Sequence, residues 1–120
     1  MANNSLDAGF RGDIEAVVNK TAFNIVKDNI LDSNRINKLL GVLANDGVYA
    51  MWVYAKGEKQ IDEGKLMEGL HEVLQIVDPG CNTDYERFFH EVSKNINNLL
   101  FLRELLEKVL IYARYHAKAK

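Results

Sequence analysis

From Ile14 to Ala113, apolar residues return at steps of three and four, and a single proline, Pro79, interrupts the chain. That spacing marks amphipathic helices, each with one apolar stripe. No such helix can bury its stripe alone, so the pattern predicts an all-α fold, a compact bundle of five to six short helices. The 120 residues, 48% apolar and 27% charged, suffice for one self-supporting core. The domain therefore reads as a single helical bundle over residues 1–120, with residues 1–10 flexible.

The first stripe, Ile14, Val17, Val18, Ala22, Ile25, Val26 and Ile30, predicts a helix over about 11 to 30. Asp32 and Ser33 can cap a second helix with Ile36, Leu39, Leu40 and Leu43 inside. The triplet Asn45, Asp46, Gly47 stops it. A hairpin turn is the alternative there, but Val48, Met51, Trp52 and Ala55 keep helical spacing and predict a third helix. Asp62 can cap a fourth, which ends at Asp78, Pro79, Gly80. Thr83 with Glu86 reads as a capping box for a fifth. Between 93 and 98 the residues are poor helix formers, so a break is expected before a last helix with Leu99, Leu102, Leu105, Leu106, Val109, Leu110 and Ala113 as its seam. Glu104 and Lys108 are spaced as an outer pair on that helix.

Charge is uneven along the chain. Residues 1–82 carry 8 basic against 12 acidic side chains, and residues 83–120 carry 7 against 5, within a total of −2. Lys108, Arg114, Lys118 and Lys120 occupy the last thirteen positions with no acid among them. Cations there complement a helix dipole and equally make a basic contact surface. Cys81 has no second cysteine to pair with, which fits a reducing compartment. The start, Met1 to Ser5, lacks an apolar signal core, and no apolar run approaches a membrane span, so a cytoplasmic protein is expected.

Candidate chemistry is sparse. His71 and Glu72 begin a zinc-protease pattern in which Gln75 stands where the second histidine belongs. His90 and His116 have no ligand-spaced companions, and Cys81 before a helix start would need His90 as its base. Gly9 and Gly12 do not form a phosphate loop, and the acids from Asp7 to Asp32 lack calcium-loop spacing. No catalytic residue, metal, cofactor or small-molecule substrate is therefore expected. Aromatic and cationic residues do interleave, at Tyr49, Trp52, Tyr54 and Lys56 and again at Tyr112, Arg114, Tyr115 and Lys118. Such mixtures suit phosphate contact and base stacking, a protein interface, or simply a core that takes in the rings.

Two stretches resemble a known family. One is Leu39, Leu40, Leu43, Ala44, Asn45, Asp46, Gly47 followed by Ala50, Val53, Tyr54, Ala55 and Lys56. The other is Arg103, Glu104, Leu105, Leu106, Val109, Leu110, Arg114 and Tyr115. Together they resemble the small helical subunit of the type III-B CRISPR (Cmr) RNA-targeting complex. Asp46 is an insertion against that pattern, Ile111 stands where a tryptophan is frequent, and Ala113 and Arg114 replace paired cations. The resemblance implies a non-catalytic subunit that bridges other effector subunits and lines the groove for guide and target RNA. Lys56, Lys59, Arg103, Lys108, Arg114 and Lys118 are the candidate backbone contacts to RNA, and Tyr49, Trp52 and Tyr115 the candidate protein-interface residues. The small subunit of a type III-A or type I effector is an alternative. So is a helical DNA-binding regulator turning at Asn45 to Gly47, although Lys56 alone would serve its recognition helix.

Overall fold

A computed structural model describes the backbone of residues 2–120 and the side chains of residues 13–120. The expected flexibility of residues 1–10 and the reading of Asp7 lie outside those described side chains. Six α-helices and no strand form among the described residues: α1 (Ala2–Lys27), α2 (Ser33–Asp46), α3 (Val48–Gly57), α4 (Glu63–Val77), α5 (Tyr85–Val92) and α6 (Ile96–Ala119). The all-α bundle expected from the periodicity is the observed architecture.

Local chemistry sets the boundaries. Carboxylates of Asp32 and Asp62 accept the backbone N–H of Arg35 and Lys65 at 2.8 and 3.1 Å, satisfying donors the first helical turn leaves free. The cap of α5 is Asp84, not Thr83: its carboxylate accepts from Arg87 N–H at 3.1 Å, while Asn82 Oδ1 holds Asp84's own N–H at 2.9 Å. The charged oxygen also meets the positive end of the helix dipole, which a hydroxyl cannot match.

α1 stops at Lys27, three residues before the apolar stripe runs out. Asn29 adopts φ 56, its N–H bonds to Val26 O, and Ile30 N–H reaches back to Ile25 O. This left-handed cap folds Ile30 back over α1. At Gly47, φ is 97, and the one residue links α2 to α3 while its N–H bonds to Val42 O and Leu43 O. The expected break before the last helix is present, since Ser93 and Lys94 form a turn and Asn95 recaps α6 by accepting from Asn98 N–H at 3.1 Å.

α6 is the central element and packs chiefly on α1 and α2. Its seam, Leu102, Leu105, Leu106, Val109, Leu110 and Ala113, is buried throughout. Contacts from Glu15 to Lys108, Asn19 to His116 and Val26 to Lys120 show that α1 and α6 run in the same direction. α4 lies on α1 and on the turn that follows it, with Gly69 facing Ile25 and Ile30. α5 closes the end of the core by laying Phe89 against Trp52 of α3.

Candidate binding surfaces

Helical geometry turns each residue about 100° from the last, so the side of α6 opposite its buried seam carries Leu100, Glu104, Glu107, Ile111, Tyr115 and Lys118, edged by Arg103 and Arg114. Tyr115 is 60% exposed and Leu100 54%. Arg114 lies 6.0 Å from the Tyr115 ring centroid, and Lys118 one turn on is exposed. Arg103 is committed inward: its Nη2 donates to Ala44 O at 3.0 Å, satisfying a carbonyl at the end of α2.

Lys108 does not join these cations. It points to the opposite flank, where its Nζ donates to Glu15 Oε1 at 2.8 Å, and Tyr112 hydroxyl donates to Glu15 Oε2 at 3.0 Å. The expected outer pair with Glu104 gives way to this contact between helices. The Lys108 and Tyr112 hydrogen bonds hold the Glu15 carboxyl below its ordinary range. Donating to the Glu15 carboxylate in turn pushes both Lys108 and Tyr112 up. The Lys108 cation, a candidate RNA contact, is thus held by Glu15 on the α1 flank.

α3 presents a second exposed strip of Tyr49, Val53 and Lys56, with Tyr49 44% and Val53 49% exposed. Trp52, a candidate interface residue, lies in the core of the bundle. It is 2% exposed and stacks on Phe89 with centroids 5.0 Å apart and planes 17° from parallel. Lys56 Nζ lies over the Trp52 ring, 4.2 Å from its centroid, where the negative face attracts a cation. Lys59 is exposed in the turn after α3. Thus Arg114, Tyr115 and Lys118 share one face, Tyr49 and Lys56 share another, and Arg103, Lys108 and Trp52 are engaged internally.

The polar groups elsewhere are tied to one another. His71 Nδ1 is 3.1 Å from Tyr85 hydroxyl, Glu72 pairs with Lys20 at 2.8 Å, and His116 Nε2 is 3.0 Å from Asn19 Oδ1. Cys81 is buried beside a groove of about 390 Å³ that also takes in Asp78, Asp84, Arg87 and Glu91. Burial, and then the charge of Asp78, push its thiol up, opposite to the activation a helix start would give. His90 is exposed on α5. No group of three or more metal-ligating side chains converges among the described residues.

Sequence reasoning missed Glu107 and Ile111 as members of the outer face of α6, and Phe23, 49% exposed with its ring edge-on to His116. The spacing Leu100, Glu104, Glu107, Ile111, Lys118 was a usable signal, being the complement of the seam. No described helix is long and apolar enough to cross a membrane. Comparison with family models, with curated proteins and with solved structures finds no match to this chain.

Proposed function

We propose that this chain is a cytoplasmic, non-catalytic small subunit of a type III-B CRISPR ribonucleoprotein effector, acting in antiviral defence by bridging neighbouring subunits and lining the groove for guide and target RNA. The observation that carries the reading is the outer face of α6. There Arg114, Tyr115 and Lys118 stand together, and the first two belong to the stretch whose sequence resembles that family. The junction of α2 and α3 through Gly47 is the second point of resemblance.

In this role Arg114 and Lys118 contact phosphates, which positions a strand without reading its bases. Lys56 and Lys59 supply a second, separate contact beside Tyr49, and Tyr49 and Tyr115 meet adjacent subunits. With a net charge of −2 the free chain holds RNA weakly, and the assembled complex supplies most of the grip. Strand cleavage belongs to other subunits.

Titration with single-stranded RNA at two salt concentrations tests the phosphate contacts. Affinity should fall as salt rises, and the double substitution Arg114→Glu, Lys118→Glu should reduce the magnitude of the log–log salt slope by about 1.4, two contacts' worth. Affinity indifferent to salt would sink the RNA reading. Purification from the native source tests the assembly: other effector subunits and guide RNA should accompany the chain, and a solitary monomer without RNA counts against it.

A further inference from the structure

On the outer face of α6, Leu100, Glu104, Glu107, Tyr115 and Lys118 are exposed, and the charges of the face complement themselves. Glu104 and Glu107 precede Ile111 by seven and four residues, while Arg114 and Lys118 follow it by three and seven. The ion pairs among the described residues, Lys20–Glu72, Lys94–Glu91 and Lys108–Glu15, use none of these four. Ile111 is half-buried, and Tyr115 beside it is the most exposed ring on the helix.

We propose that this face pairs with the same face of a second copy of the chain, the two α6 helices lying antiparallel about a two-fold axis at Ile111. At a rise of about 1.5 Å per residue, Glu104 and Lys118 both lie about 10.5 Å from Ile111, on opposite sides. Antiparallel stacking therefore sets Glu104 of one copy against Lys118 of the other. Glu107 and Arg114, about 6 and 4.5 Å out, fall opposite each other within one residue of register. A two-fold interface repeats each pair, and Ile111 meets Ile111 at the centre with Tyr115 alongside.

A parallel arrangement in register would put acid on acid and cation on cation. An unrelated partner would have no reason to require acids before and cations after one apolar residue at matching distances, seven against seven and four against three; a second copy does. One helix face makes a small interface, so the dimer is weak and sensitive to salt. The inference stands apart from the RNA reading, for which a strand and a second copy are alternative occupants of Arg114 and Lys118.

Sedimentation of the full chain over a range reaching on the order of 1 mM, at low and high salt, reads the association directly. The wild type should form a dimer that added salt weakens. Arg114→Glu or Glu107→Arg alone should weaken it by about tenfold or more, because each reversal turns two attractive pairs repulsive. The double variant carrying both reversals regenerates each pair with its signs exchanged, and should return to within about threefold of wild type. A wild type that stays monomeric at low salt overturns the proposal. So does a dimer indifferent to the single reversals, or a double variant that is helical by circular dichroism and yet not rescued. RNA titration of Glu107→Arg alone separates the two readings, since that variant weakens the dimer while leaving the Arg114 and Lys118 cations in place.

Discussion

Replacing Trp52, the chain's single tryptophan, decides between a core ring and a docking ring. Its side chain is 2% exposed, stacked on Phe89 and touched edge-on by Tyr49 at 5.7 Å. Truncating a buried tryptophan to alanine costs about 3–5 kcal/mol through lost burial and the cavity left behind. A domain of this length has roughly 6–18 kcal/mol in total, so Trp52→Ala removes a large share of it. With an unfolding entropy of about 0.25 kcal/mol/K for the whole chain, a loss of about 4 kcal/mol lowers the melting midpoint by about 16 °C. Tyr49→Ala, at an exposed position, should cost below about 1 kcal/mol. The indole Nε1–H has no hydrogen-bond partner among the described residues, so Trp52→Phe should fall between the two. Melting by far-UV circular dichroism measures all three, and wild-type fluorescence should be blue-shifted and poorly quenched by acrylamide. A Trp52→Ala midpoint within about 3 °C of wild type, or freely quenched native emission, would refute the packing and return the ring to the surface.

Other consequences are equally specific. Gly41 lies exposed within α2 with nothing within 4 Å of an added Cβ, so Gly41→Ala should raise stability by about 0.5–1 kcal/mol in urea titrations. Gly47→Ala, at φ 97, should lower it by about 1–3 kcal/mol in the same assay. The Glu15 carboxyl is depressed in the folded state, so its contribution is present above the ordinary carboxylate range and lost as pH falls through the folded value. Lys108 is raised, so its contribution is present below the ordinary lysine range and lost as pH rises through the folded value. Glu15→Gln should therefore melt below wild type at neutral pH by under about 1 kcal/mol, the pair being partly exposed, with the difference shrinking in acid. Equal differences at all pH values would contradict this. Cys81 should react slowly with a neutral alkylating agent in native buffer and rapidly in denaturant, which mass spectrometry resolves.

Most helix ends were legible because they are local: Asp32, Asp62 and Gly47 act within a turn of where they stand. The misplaced ends have local causes too, but weaker ones in sequence. Ending α1 at Lys27 depends on Asn29 taking a left-handed conformation, which an asparagine tolerates without announcing it. Asp84 and Thr83 are both good caps, and only the brace from Asn82 tells them apart. The candidate surfaces were harder to read because partner choice is not periodic. Glu104 is spaced for Lys108, yet Glu15, ninety-three residues away, takes it, because α1 lies beside α6 and also offers its carboxylate to Tyr112. Trp52 likewise could not be assigned until α5 brought Phe89 against it.

The side-by-side pairing of α1 with α6 also bears on how the chain is made. α1 leaves the ribosome before α6, and about 70 residues separate its end from the start of α6, which at typical elongation rates is roughly 4–14 s of synthesis. Throughout that interval Val18, Ala22, Ile25 and Val26 lack the neighbour that covers them, and α4 arrives only part-way through. The nascent chain thus carries a sticky helix until α6 emerges, making α1 the natural holding point for a chaperone on the growing polypeptide.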